Sequence, residues 1–170
     1  LFLYNLRGSA NALLKRFDAA VECYKNALRV NPNYATIYNN LGNVFKETGE
    51  IELAENNYKQ AIKIKPNYAE AYYGLGLTLE KKEKFLSAIK NYEYALINKP
   101  NYPEVFFNLG NVYRKSGDYK LAINNYKNAI ELKKNYYEAY CNLGNSKKFL
   151  LYLKYFLRFA CHLIMASRLL

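Results

Sequence analysis

Apolar and polar positions follow a helical period along this chain, and the pattern resets every 34 residues. In the stretch after residue 34, Tyr38, Leu41 and Phe45 recur at spacings of three and four, which puts them on one helical face. Gly49-Glu50 interrupts that run. A second stripe follows in Leu53, Ala54, Tyr58, Ala61, Ile62 and Lys65, and it stops at Pro66. Proline ends a helix because it has no N–H to donate and steers the residue before it away from helical torsions. Each copy therefore predicts two amphipathic helices joined by a short turn.

The register is strict. Gly8, Gly42, Gly76, Gly110 and Gly144 step by 34 residues, as do Tyr4, Tyr38, Tyr72, Phe106 and Tyr140. Ala20, Ala54, Ala88 and Ala122 keep the same step, with Tyr24, Tyr58, Tyr92 and Tyr126 and then Ala27, Ala61, Ala95 and Ala129. Pro32, Pro66 and Pro100 follow, with Lys134 in the fourth place, and each copy closes on Asn-Tyr. The copies run 1–34, 35–68, 69–102 and 103–136, with a partial fifth at 137–146. Gly42 and Ala54 are small enough to let the two helices of a copy approach, and Ala61 does the same toward the next copy. One such hairpin cannot bury both of its apolar faces, whereas stacked copies can.

The motif Tyr38-x-x-Leu41-Gly42-x-x-Phe45, Ala54-x-x-x-Tyr58, Pro66 resembles the tetratricopeptide repeat (TPR) family. Phe106-x-x-Leu109-Gly110-x-x-Tyr113 and Ala122-x-x-x-Tyr126 repeat it. Arg7 and Asn11 depart from the motif in the first copy, and Glu83 stands where the third copy should have its helix-breaking Gly. The resemblance implies an all-α fold, an α-α solenoid of antiparallel helix pairs wound into a right-handed superhelix. It also implies a concave groove, lined by the first helix of each copy, that takes a protein or peptide partner.

Residues pointing away from the packing stripe should line that groove. In the second copy they are Asn39, Asn40, Asn43, Lys46 and Glu47, and in the third Tyr73, Gly74, Leu77, Glu80 and Lys81. In the fourth they are Phe107, Asn108, Asn111, Arg114 and Lys115, and in the partial fifth Cys141, Asn142, Asn145 and Lys148. Asn40, Asn108 and Asn142 share one register, and Asn43, Asn111 and Asn145 another. Each amide offers two donors and an acceptor, which suits the backbone of an extended peptide. Such a row resembles the asparagine ladder in the TPR superhelix of O-linked N-acetylglucosamine transferases, here interrupted at Leu6 and Gly74. The alternative is that these amides are ordinary polar surface or helix-contact residues. The expected groove set is Asn40, Asn43, Lys46, Asn108, Asn111, Arg114, Asn142 and Asn145. A carboxylate clamp of the chaperone-tail type is not expected, because its lysine positions hold Asn5, Asn39 and Tyr73, or Glu70, Glu104 and Glu138.

Composition narrows the chemistry. A single histidine, His162, argues against a histidine-based metal site or a Ser-His-Asp triad. Cys23, Cys141 and Cys161 are too far apart for a C-x-x-C site, so no metal or cofactor is expected. A reducing, cytoplasmic compartment fits that cysteine usage. Gly74-Leu75-Gly76 lacks the third glycine of a dinucleotide loop and sits within a helical copy. The tyrosine stripe reads as core rather than a base-stacking platform.

The net charge of +11 is unevenly spread: residues 1–146 carry 20 Lys/Arg and all 14 acids, while residues 147–170 carry five Lys/Arg and no acid. No cluster resembles a phosphate track, which disfavours nucleic acid. Residues 147–170 leave the repeat register and form a separate apolar, basic helical segment, in which Lys154, Arg158 and His162 share one face. Its mid-repeat break favours a C-terminal end foreign to the family. A solenoid cap and a membrane-surface helix are the alternatives, and any membrane contact would run through this segment. Residue 1 is Leu rather than Met, so the chain reads as a piece of a longer one. The leading functional expectation is a non-enzymatic interaction scaffold. The second is the TPR arm of a glycosyltransferase or sulfotransferase whose catalytic domain lies elsewhere.

Overall fold

A computed structural model describes the backbone of residues 1–167 and the side chains of residues 1–157. The described residues form helices and no strand, and the fold class is all-α, of the helical-repeat solenoid kind. They divide into two compact units, residues 1–100 and 101–170.

The first unit holds α1 (Phe2–Leu13), α2 (Phe17–Val30), α3 (Ala35–Thr48), α4 (Ile51–Ile64), α5 (Ala69–Lys81) and α6 (Phe85–Asn98). They pack as hairpins, α1 with α2, α3 with α4 and α5 with α6, and neighbouring hairpins stack. The second unit holds α7 (Pro103–Lys115), α8 (Tyr119–Leu132) and α9 (Tyr137–Ser167), with α8 packed on both others. The boundaries follow the sequence signals. Gly49 ends α3 in the left-handed conformation at φ +86°, and Lys65 leaves the helix ahead of Pro66.

The core is built from the repeating small and aromatic positions. Ala20, Ala54, Ala88 and Ala122 are fully buried, as are Ala27, Ala61, Ala95 and Ala129. Tyr24, Tyr58, Tyr92 and Tyr126 are buried with them, each lying against the glycine of its own copy. A Cβ on Gly42 would lie 2.7 Å from the Tyr58 ring, and one on Gly74 would lie 2.4 Å from the same ring. The two glycines thus form a slot that holds Tyr58 between α3 and α5. A buried aromatic of this size contributes roughly 3–5 kcal/mol against truncation to alanine.

The turn position repeats too. Lys15, Gly49, Glu83 and Gly117 all have positive φ. The third copy therefore makes the same turn without its glycine, with Glu83 at φ +56°, because the flanking helices impose the geometry. At the C-terminus the partial fifth copy and the segment after it are one continuous helix, α9, so the register break at residue 147 does not end the helix. Phe149 stacks on Tyr119, the first residue of α8, with ring centroids 4.2 Å apart. The side chains of Arg158 and His162 lie outside the described residues. No helix among the described residues is long and apolar enough to cross a membrane.

Candidate peptide-binding site

The first helix of each copy carries the expected groove residues, and the tyrosine slot decides what they do. Tyr58 is buried except that its hydroxyl must find a partner, since an unpaired buried phenol is costly. It donates to Asn43 Oδ1 at 2.7 Å. In the second unit Tyr126 donates to Asn111 Oδ1 at 2.8 Å, and Asn142 Nδ2 donates to the same oxygen at 2.9 Å. In the first copy Ser9 takes this place, 3.2 Å from the Tyr24 hydroxyl. In the third copy the position is Leu77, and Tyr92 turns instead to Glu80 Oε2 at 3.0 Å. Burial raises the pKa of Tyr58 and Tyr92, with the nearby carboxylates Glu47 and Glu80 adding to it. Both phenols therefore stay protonated and act as donors.

Asn43 and Asn111 thus have an internal duty: each anchors the tyrosine 15 residues downstream. Their amide nitrogens remain available to a ligand by chemistry, since each Asn carries two N–H groups beyond the accepting oxygen. Asn40 is half-buried and gives an N–H to Asn5 Oδ1 at 3.1 Å. Asn108 is half-buried and gives one to the Glu104 carbonyl of its own helix at 3.0 Å. Asn145 is exposed. Lys46 is half-buried and sits 3.5 Å from Glu47. Arg114 is half-buried, and its Nε is buried without a hydrogen-bond partner among the described residues.

Four expected groove positions belong elsewhere. Asn39 is only 6% exposed, in the packing face of α3, and its Oδ1 lacks a hydrogen bond among the described residues. Gly74 is buried against Tyr58. Phe107 packs on Tyr126 and Tyr136, with ring centroids 6.0 and 4.9 Å away. The reason is angular. Asn39 and Phe107 share a register in which a side chain points at the neighbouring helix, and Tyr73 in the same register stands 6.0 Å from Tyr92.

In the first unit α1, α2 and α3 line an open cavity of about 320 Å³. Ala12, Leu13, Phe17 and Val44 supply its apolar wall, and Ser9, Tyr24, Asn40, Asn43 and Glu47 its polar edge. The repeat pattern points to Asn40, Asn43 and Glu47 but not to the contribution of α1. Leu13 and Phe17 were legible as apolar residues at the end of α1 and the start of α2, but their convergence on Val44 depends on how the hairpins stack. Among the described residues no group of three or more His, Cys, Asp or Glu side chains is placed to hold a metal ion.

Helix pairs in a 34-residue register, each with a tyrosine lodged against its own glycine, define a helical-repeat protein. Family comparison gives the particular class. A model described as "TPR repeat" matches residues 8–49, 42–83 and 110–148, and two described as "Tetratricopeptide repeat" match residues 69–102 and 91–124. The chain belongs to the tetratricopeptide repeat family. Comparison with curated proteins gives no match. Among solved structures, the crystal structure of MamA is similar, with 27% identity, 83% of this chain and 82% of that one covered, and a TM-score of 0.76. YrrB, described as "a TPR protein with an unusual peptide-binding site", is 31% identical over 72% of this chain and 63% of its own, with a TM-score of 0.68. The APC/C hetero-tetramer Cut9-Hcn1 shares the fold alone, at 19% identity over 84% of this chain and 29% of that one, with a TM-score of 0.78.

Proposed function

We propose that this chain is a protein-interaction scaffold that holds an extended peptide of a partner along the first helices of its repeats. The cavity between α1, α2 and α3 carries the proposal: an apolar wall of Ala12, Leu13, Phe17 and Val44 with the amides of Asn40 and Asn43 at its edge. Such a site accepts one apolar side chain of the peptide while amides pair with the backbone beside it. In the second unit the proposed polar set is Asn108, Asn111, Asn142, Asn145 and Arg114, whose Nε lacks a hydrogen-bond partner among the described residues and would suit an acceptor. The family relationship supports the reading, as does the peptide-binding site described for YrrB.

The test is selection of peptides from a random display library on the full chain, followed by calorimetric titration of the best binder. Leu13 is 85% exposed yet lines the cavity, so Leu13→Arg should block the site without disturbing the core. Leu13→Arg and Asn40→Ala should each weaken binding about tenfold or more, the level of an interface residue that matters. Unchanged affinity in both variants, with helicity intact, would rule out this cavity as the anchor.

A further inference from the structure

α9 continues well beyond the helix that supports it. Its partner α8 begins at Tyr119, which stacks on Phe149, and α9 runs on to Ser167. From Leu151 to Leu157 every residue is exposed, including Tyr152 at 60% and Phe156 at 66%. A helix that is apolar over most of its surface does not stand free in water, because the hydrophobic cost of hydrating it favours any partner that covers it.

Charge identifies the partner. Residues 147–170 hold five Lys/Arg and no acid, against a remainder in which both signs are mixed. Helical spacing sets Lys147 and Lys154 on one side of α9, and Phe149, Tyr152 and Phe156 on the opposite side. Lys148 lies 5.7 Å from the Tyr152 ring, at the border between the two sides. We infer that α9 from Lys147 onward lies on a bilayer of anionic lipid, its Tyr152 and Phe156 face sunk into the headgroup boundary and Lys147, Lys148 and Lys154 among the lipid phosphates. Aromatic rings with a polar edge and basic residues without acids are what such a surface recognises. The segment lies on the membrane rather than across it, consistent with the absence of a spanning helix among the described residues. This inference does not rest on the cavity between α1, α2 and α3, which lies in the first unit.

The chain contains no Trp, so a single Trp introduced at the face reports its surroundings. The full chain carrying Phe156→Trp is mixed with vesicles of phosphatidylcholine, alone or with phosphatidylglycerol added. The expected result is co-sedimentation and a blue-shifted emission with the anionic vesicles only, weakened by salt. Combining Lys147→Ala and Lys154→Ala should lower partitioning on the order of 30-fold, from about fivefold per lysine. A second variant without Trp, Tyr152→Glu, should also abolish sedimentation while circular dichroism shows the repeats intact. Equal binding to both vesicle types, or binding to neither, overturns the inference. So does a blue shift without vesicles that rises with protein concentration, which would make this face an interface between copies of the chain.

Discussion

Gly42 and Gly144 hold the same place in the repeat, yet their surroundings have nothing in common. A Cβ added at Gly42 would meet the Tyr58 ring at 2.7 Å, while one added at Gly144 would meet nothing within 4 Å among the described residues. The difference lies 16 residues downstream, where the second copy has Tyr58 and the fifth has Ala160. The glycine is therefore not a hinge or a helix breaker. It is half of a packing pair, and it loses its purpose where the tyrosine is missing.

The largest effect should come from emptying the slot. Tyr58→Ala removes a ring held between Gly42 and Gly74, and should cost about 3–5 kcal/mol in a denaturant titration. Filling the slot instead, with Gly42→Ala, should cost about 1–3 kcal/mol because the ring is caged by both glycines. Gly144→Ala should reverse the sign and raise stability by about 0.5–1 kcal/mol, since alanine is the better helix former and nothing opposes it. Equal effects from the two alanines would break the comparison.

The repeat register made most of the fold legible from the sequence. Helix ends, turns and the buried alanines follow from Gly49, Pro66 and the 34-residue step. The tyrosine slot was only half legible: Gly42 and Ala54 mark a close approach with Tyr58 in the space left, but no periodicity says that Gly74 of the next copy closes the other side of the ring. The anchoring of Tyr58 by Asn43 and of Tyr126 by Asn111 had a readable signal, a constant offset of 15 residues. The cavity had none, since its wall combines residues from three helices whose stacking angle no periodicity encodes.

The turn after each first helix sharpens the comparison on a smaller scale. Gly49 and Glu83 occupy the same position, and both have positive φ. A side chain there pays roughly 1–2 kcal/mol of backbone strain. Glycine would relieve it but widen the unfolded ensemble, so Glu83→Gly should stabilise by only about 0.5 kcal/mol in thermal unfolding.

The smallest expected effect lies where one copy differs from the rest by charge. Glu55 accepts from Lys59 at 2.6 Å in its own helix and from Lys82 at 2.8 Å at the end of α5, which ties the second copy to the third. The positions matching Glu55 in the other copies are Val21, Ile89 and Ile123. Hydrogen bonds from Lys59 and then Lys82 hold the Glu55 carboxyl down at about 2, against an ordinary 4.5. A carboxyl whose folded pKa is depressed stabilises the fold above its unfolded pKa. Its contribution is therefore full above about pH 5, declines as pH falls through 4.5 toward 2, and is gone below that. The lysines reach solvent, so screening keeps the pair's contribution small. Glu55→Gln should remove this acid-side loss from a plot of stability against pH between 5 and 2. If the native chain and the Glu55→Gln variant fell in parallel across that window, the Glu55 ion pair would contribute nothing to the junction between the second copy and the third.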